Sequence, residues 1–596
     1  MKDKLEEIAQ RKKQLEEIAQ RKKQWEEGLV KTALDRLGLK ESPNHFCTPL
    51  DVPEFDFLEK VGFPGEYPFT ACTFPVMATT PPERITSGSD LAGKSETSGA
   101  RMVRAGRYSG YGAPEDTRDY YLQMQELGRG TGPNLAFDLP TQVGLDSDHP
   151  QAAGEVGRVG VAVDSLRDFE VIYEAFQGER NIDRVSSNFT INAPACVIVA
   201  MYFAVARKRG IPLSRLRATP QNDILKEFIA RGTYIFPPKP SMRLVRDLFT
   251  FCVLEAPQIN IASIGGYHIR EAGATREQDL GFSMANGIAY LRLGVEAGLD
   301  IDDFAPRITF NAFGGSVELL KEVAFQRAAR RMWARIVKEK FGARNPRSCL
   351  LRQGLGPHMG YRDATVQRPL NNLTRAVIGG MASALSGCPP NAEPPYDEAL
   401  GLGWSLEAIQ LARDATRIML HEARLTEVID PLAGSYYVES LTDQIEADAW
   451  AIVDKMEGMG GAVAAIENGY MQREVARSAY ERQRRIERGD ELIVGVNCFL
   501  GENEMEVTTT REVPHPYDPT RREAAETLQI QNLQEVRRLR DRAAVAAALK
   551  KVKEVAQREE ANLMPPILEA VEAYATVGEI CDVLREIFGE YQPVAL

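Results

Sequence analysis

The chain has 596 residues, 44% of them hydrophobic and 26% charged, with a formal net charge of −12. That profile is globular and soluble, with room for one large domain plus appendages or for two to four domains, and its acidic balance excludes a duplex-binding surface, which needs clustered basic charge. The eight cysteines (47, 72, 196, 252, 349, 388, 498 and 581) form no CxxC pair, which argues against a disulfide framework or a zinc site and for reduced thiols in the cytoplasm.

Residues 5–14 and 15–24 are the same ten letters, LEEIAQRKKQ, repeated. The composition is strongly helix-forming and poor in apolar residues, which predicts an exposed helical arm over 1–45. The N-terminus lacks the apolar core of a signal peptide. From about residue 130, short strand candidates recur at 134–139, 185–192, 216–220, 259–266, 307–313 and 348–353. Helical patterns lie between them, at 195–208, 241–254 and 315–338 among others. The longest apolar run, Ala195 to Ala206, is too short to span a bilayer. Strand–helix alternation predicts a parallel sheet with crossover helices, and the number of units fits a (β/α)8 barrel.

The strands alternate in an unusual way. One face carries Ser186, Asn188, Thr190 and Asn192, then Gln258, Asn260 and Ala262, then Thr309 and Asn311. The other carries Val185, Phe189, Ile191, Ile259, Ile261, Ile308 and Phe310. Barrels are ordinarily plugged by branched aliphatics. A polar inner face predicts a hydrogen-bonding channel on the axis instead; an antiparallel sheet with a wet face is the alternative.

Residues 219–243, TPQNDILKEFIARGTYIFPPKPSMR, read as a strand end followed by a short helix. Asn222 or Asp223 can cap it, Ile224, Leu225, Phe228 and Ile229 form its apolar stripe, and Gly232 stops it by adopting positive φ. Gln221 and Arg231 bracket that helix, at most about 15 Å apart at 1.5 Å per residue. On position alone, Arg231 reads as a solvated arginine near a helix C-terminus, where the dipole favours it. His268 follows INIASIGGY, at the C-terminal end of a strand, where barrel enzymes keep their chemistry. A structural histidine in a loop is the alternative there. After about 420 the pattern is mainly helical, with a Thr-, Pro- and charge-rich linker at 501–522. Helical spacing then recurs at Leu528, Leu533, Val536 and Leu539.

The 219–243 stretch, together with AFDLPTQVGLDSDHP (136–150), GYHIREAGAT (266–275), FAPRITF (304–310) and DPLAGSYYVESLT (430–442), closely resembles the methylmalonyl-CoA mutase family of adenosylcobalamin enzymes. The likeness runs, with one interruption, from about 50 to 520, in the layout of the large subunits of two-subunit members. It implies an α/β fold with a TIM barrel at 46–425 around the pantetheine arm of coenzyme A. It also implies an N-terminal helical arm at 1–45, a helical extension at 426–515 and a helical tail at 516–596.

By the same resemblance, His268 hydrogen-bonds the substrate thioester carbonyl, Gln221 contacts the substrate and Tyr108 screens the adenosyl–cobalt bond. Arg231 matches the arginine that binds the free carboxylate of methylmalonyl- and succinyl-CoA; glutamine stands there in isobutyryl- and 2-hydroxyisobutyryl-CoA mutases. Ala136 stands where the hydroxyacyl enzyme has an aspartate, which also favours a dicarboxylic acyl-CoA. Asn188, Asn260 and Thr309 join the substrate-binding set. Arg307, Arg347 and Arg352 are the expected phosphate contacts, and Phe137, Glu271 and Glu398 the cofactor contacts. The family's cobalt-ligating DxHxxG motif occurs around none of the six histidines, so the cobalt ligand is expected from a separate small subunit within a hetero-oligomer. A GTPase chaperone is a further implied partner; nucleic acid and membrane are not.

The likeness fails at 71–106, at 353–360 and at 391–398, which allows a bulkier alkyl- or aryl-substituted acyl group. Three other functions stay open on sequence: an isobutyryl- or 2-hydroxyisobutyryl-CoA-type mutase, a non-catalytic coenzyme A-binding scaffold, and a cobalamin-independent barrel lyase acting on coenzyme A esters.

Overall fold

The computed structural model describes residues 2–37, 40, 47–52, 55–73, 109–126, 130–311, 314–353, 359–388, 390, 392, 394–400, 405–501 and 519–594. Five short parallel strands organise it: β1 (Asn134–Ala136), β2 (Ser186–Thr190), β3 (Arg217–Pro220), β4 (Ala262–Ile264) and β5 (Ile308–Phe310). β1, β2 and β3 pair in sequence order, as do β4 and β5. Backbone bonds from Asn260 N to Ala218 O (2.9 Å) and from Ser263 N to Gln221 O (2.8 Å) carry β3 on to β4. Single parallel bridges extend the row at both ends, Ser109 to Leu135 and Phe310 to Gln353.

Strand order thus follows chain order, and the helix Ala195–Lys208 crosses between β2 and β3 as the helix Pro238–Glu255 does between β3 and β4. The architecture is α/β with parallel strands and mostly helical mass. Among the described residues these pairings form an open arc. The expected closed eight-stranded barrel is therefore not reached by them, and the strand expected at 348–353 is reduced to the bridge at Gln353. The strands are shorter than the apolar alternation suggested because the ladder ends where the chain bends into its connecting turns.

Burial alternates as expected in β2 and β3, whereas β4 and β5 are buried throughout and Asn192 is buried as well. Leu135, Ala218, Phe189 and Ile308 are buried, while Asn134, Asn188, Thr190, Thr219 and Asn260 keep partial exposure. Asn134, Asn188 and Thr219 stand in register across three strands. Asn260 Nδ2 donates to Thr219 Oγ1 at 2.7 Å, and Arg352 Nη1 donates to Asn260 Oδ1 at 3.2 Å. A rung of polar side chains therefore crosses the sheet on one face.

One expected member is displaced. Ala262 pairs with Ile308 on the apolar face and Ser263 pairs with Thr309. The phase slips by one residue between Asn260 and Ser263, as a bulge does.

The opposite face packs against helices through a run of rings: Phe137, Phe169, Tyr173, Phe189 and Tyr202, with centroids 5.2–6.4 Å apart. The N-terminal repeat is a helix, Lys2–Trp25, and its described side chains are largely exposed. Beyond 420 the chain is helical as expected, with a long helix at Tyr436–Gly458. The helix Pro519–Leu539 presents a different face from the leucine spacing. Ala525, Gln529 and Leu533 are buried and Leu539 is 66% exposed. No helix among the described residues is long and apolar enough to cross a membrane, and all eight cysteines are free thiols.

Candidate active site

The turn after β3 builds the site. Asn222, at φ 47, reverses the chain and anchors its amide on the Ile261 carbonyl at 2.9 Å. Asp223 precedes the helix but does not cap it. Its carboxylate instead accepts from Gly265 N (2.8 Å) and from the Tyr290 hydroxyl (2.7 Å), tying β3 to β4 and to the helix Arg276–Glu296. The turn Ile224–Lys226 loosens into a π-helical turn at Glu227–Arg231 and stops at Gly232, φ 86, as the glycine predicted. π-turns widen a helix and recur at functional sites.

A buried polar network fills the inside of this turn. Lys226 and Glu227, both with wholly buried side chains, form an ion pair. The Lys226 ammonium also donates to Gln221 Oε1 at 2.8 Å. Asn192 Nδ2 donates to Gln221 Oε1 at 2.9 Å and to Glu227 Oε1 at 2.6 Å. Thr233 donates its hydroxyl to Glu227 Oε2 at 2.6 Å. Arg231 reaches Glu227 Oε1 at 3.4 Å with one nitrogen while its side chain stays 22% exposed. Glu227 is thus shared by two cations. Burial alone would raise its carboxyl pKa, but Lys226 and Arg231 outweigh burial and hold it below the usual range. Burial lowers the Lys226 pKa and raises that of Asp223.

His268 leaves β4 on the short helix Gly266–Glu271. Its Nδ1 is buried and makes no hydrogen bond of good geometry. Burial first, and then the positive charges of Lys226 and Arg231, push its pKa well below the ordinary histidine value, so the ring is neutral. The Tyr267 ring lies 3.9 Å from it, centroid to centroid. Gly265 leaves a gap between the two candidate groups. A Cβ there would stand 3.0 Å from His268 Nδ1 and 3.6 Å from Gln221 Nε2. Gln221, His268 and Arg231, separated by up to 47 positions in sequence, are therefore brought to one place.

Glu271, on the same short helix, accepts the Tyr361 backbone N–H at 2.8 Å. Its pKa is raised to about 7, chiefly by burial. Asn188 and Asn260 lie in the polar rung described above. Thr309 faces the same side but spends its hydroxyl on the Ala262 carbonyl at 3.1 Å.

At the opposite end of the strands, Arg352 is held by Asn260 Oδ1 and the Pro306 carbonyl. Burial and then the charge of nearby Arg347 lower its pKa. Arg347 itself is exposed. Arg307 corrects the expectation placed on it. Its Nε donates to Ile259 O (2.9 Å) and its Nη2 to Cys252 O (3.0 Å) and Ala256 O (3.1 Å). It serves as a strut between helix end and strand, with only Nη1 left for a ligand.

Phe137 is fully buried and packs against Phe169 and Phe189, which makes the ring a core side chain rather than a ligand wall. Glu398 is half-buried at the start of a short turn. Tyr108 lies outside the described residues.

The sequence reading missed Lys226, Glu227 and Tyr290, and it named Asn192 and Asp223 only as a polar-face residue and a candidate cap. Two adjacent opposite charges inside an apolar-striped helix were the available signal.

The family model for methylmalonyl-CoA mutase matches residues 40–590. The chain is 39% identical over 537 residues to the 2-hydroxyisobutanoyl-CoA mutase large subunit of Aquincola tertiaricarbonis, covering 90% of this chain and 89% of that one. It is 38% identical over 491 residues to the methylmalonyl-CoA mutase of Rhizobium meliloti (strain 1021), covering 82% of this chain and 66% of that one. With the methylmalonyl-CoA mutase of Escherichia coli (strain K12) the identity is 39% over 485 residues, covering 81% and 65%. The chain thus spans about two thirds of the length of those two methylmalonyl-CoA mutases. With the strand order, the polar strand face and the Gln221–Arg231–His268 cluster already in hand, these matches settle the kinship: the chain belongs to the methylmalonyl-CoA mutase family.

Proposed function

We propose that this chain is the large, acyl-CoA-binding subunit of an adenosylcobalamin-dependent mutase that rearranges the carbon skeleton of a carboxylated acyl-CoA. The observation that carries the carboxylate is the single long contact of Arg231 within the turn, 3.4 Å from Nη1 to Glu227 Oε1. Lys226 and Arg231 share one carboxylate, Glu227, and Arg231 keeps part of its guanidinium open. A partly open guanidinium can meet a substrate carboxylate with two parallel bonds.

In this reading Arg231 anchors the substrate carboxylate. The neutral His268 and the Gln221 amide offer hydrogen bonds to the thioester carbonyl, where a preorganised donor is worth most out of water. The polar rung of Asn134, Asn188, Thr219 and Asn260 lines the path of the pantetheine arm, and the arc of strands closes around it as a (β/α)8 barrel. Arg347 and Arg352 meet the phosphates beyond the rung.

Adenosylcobalamin, when bound, supplies the radical that takes hydrogen from the substrate. The residues at the upper end fit such a group in one respect. Glu271 holds a buried carboxyl, raised to about 7, beside the half-buried Tyr267 and His268. It would hold a hydroxyl of the cofactor without an unfavourable charge. The cobalt ligand comes from a separate small subunit, a reading supported by the Aquincola relative's being named a large subunit. The division at 45, 425 and 515, the hetero-oligomer and a cytoplasmic location consistent with eight reduced thiols belong to the same proposal.

The test is reconstitution with a cobalamin-loaded small subunit. Turnover of methylmalonyl- or succinyl-type thioesters with cob(II)alamin formation is the expected result. Turnover only of isobutyryl- or 2-hydroxyisobutyryl-CoA would overturn the carboxylate, and no radical signal with any thioester would leave a binding scaffold.

A further inference from the structure

Two polar side chains behind Gln221, those of Asn192 and Lys226, have partners whose direction is not open to choice. The backbone N–H of Asp223 can only donate, and it donates to Asn192 Oδ1 at 2.9 Å. That fixes the Asn192 amide with its Nδ2 toward Gln221 Oε1 and Glu227 Oε1. The Lys226 ammonium can likewise only donate, and it also meets Gln221 Oε1. Gln221 Oε1 therefore accepts two hydrogen bonds, and the amide cannot turn over without setting its own N–H groups against an ammonium and an amide donor. Nε2 is left facing the gap over Gly265 that it shares with His268.

From this geometry we infer that Lys226 is a positioning residue, which acts on the reacting carbonyl only through Gln221 and His268. The inference rests on the reading of Gln221 and His268 given above and goes beyond it, because Lys226 itself has no open side. Its side chain is wholly buried against Glu227. The charged and titratable groups around it and His268 are Asp223, Glu227 and Arg231 on the same turn, Tyr290 from the helix Arg276–Glu296, and Tyr267 and Glu271 on the His268 helix. Among them only Lys226 touches Gln221 Oε1 and also weighs on the His268 proton. Keeping the ring neutral leaves it able to donate without protonating the substrate; fixing the amide saves the cost of ordering it at each turnover.

The experiment uses the full chain with its cobalamin subunit, in wild type, K226M, Q221A and K226M/Q221A. With histidine-selective 15N labelling, and H268N to assign the signal, the His268 titration is expected to move upward in K226M, toward the ordinary value. In turnover, K226M is expected to lose about tenfold or more in kcat with KM changed by less than about threefold, and the double variant is expected to fall no further than Q221A alone. K226R, which keeps the charge and a donor, should restore the titration and part of kcat. A folded K226M with an unmoved His268 titration and unchanged kcat overturns the inference, as does a double variant whose losses multiply. If K226M does not fold, the N192S variant carries the test, because Asn192 is the second donor to the same oxygen. A loss of kcat that Q221A masks supports the arrangement, and an undiminished kcat overturns it. The titration needs no substrate. Failure of every thioester with the wild-type enzyme would therefore count against the proposed reaction while the titration still decides the role of Lys226.

Discussion

Arg231, His268 and Gly265 each carry a single-residue consequence. Replacing Arg231 by glutamine removes a charge-assisted contact worth about 1.5–3 kcal/mol. The expected result is a loss of roughly 10- to 100-fold in kcat/KM on dicarboxylic thioesters, with a much smaller loss on monocarboxylic ones. Competition kinetics with the two substrate classes measures it, and equal losses would remove the carboxylate from the argument. At Gly265 the gap itself matters. An alanine methyl would come within 3.0 Å of His268 Nδ1, so G265A should lower kcat by tilting the imidazole while leaving the melting temperature within a few degrees. Arg231 and His268 were legible as candidates because each sits at the end of a pattern, a helix stop and a strand end. Their electrostatic setting was not, since the two charges that add to burial in keeping His268 neutral lie 42 and 37 positions away in the chain.

The decisive element is the turn between β3 and its helix. Its apolar stripe and its glycine stop were readable locally, because a 3.6-residue period and a positive-φ requirement are properties of a few neighbouring residues. The capping role read for Asp223 was not fulfilled. The carboxylate found better donors in Gly265 N and Tyr290, and a partner from another element outcompetes a local cap when burial makes every hydrogen bond obligatory. Tyr290 in turn accepts from Leu225 N at 3.1 Å. The Y290F variant strands both that N–H and the Asp223 carboxylate, and should cost about 1–3 kcal/mol in chemical denaturation. At Gly232, where φ is 86 and nothing stands within 4 Å of a built Cβ, alanine meets no clash but an unfavourable backbone. A loss of about 1–2 kcal/mol is expected; a neutral result would mean the turn relaxes.

Across the whole molecule, the helices after 519 are clamped to the strand-bearing body by buried polar contacts rather than by leucines alone. Gln529 donates to Asp164 Oδ2 at 2.7 Å and to Asp168 Oδ1 at 3.3 Å. Arg537 pairs with Asp146 and Asp148, and Thr576 and Gly578 donate to Asp146. Arg243 holds the carbonyls of Val555, Ala556, Arg558 and Ala561 at 2.6–3.1 Å. Burial raises the Asp168 pKa from 3.8 to about 6. Between those values the folded chain keeps a proton that the unfolded chain has lost, so this group's contribution to stability falls as pH rises across the window and is level above it. Unfolding followed from pH 4 to 7 should therefore show a shallower loss in D168N than in the wild type over that range. An identical slope would mean that Asp168 is ionised throughout.

The amino-acid sequence by itself determined the order of strands and helices, the polar and apolar faces of β2, the stop at Gly232 and the kinship of the chain. All of these are written in spacings of two to four residues or in motifs of ten to twenty-five. Only the tertiary structure decided that Ser263 replaces Ala262 on the polar face, that Arg307 braces a helix end, that Phe137 belongs to the core and that Gln529 serves as the buried contact of its helix. Each of those outcomes depends on which distant segment arrives opposite. A buried donor or acceptor takes whatever partner the crossovers bring, and a single sequence records the group but not its neighbour.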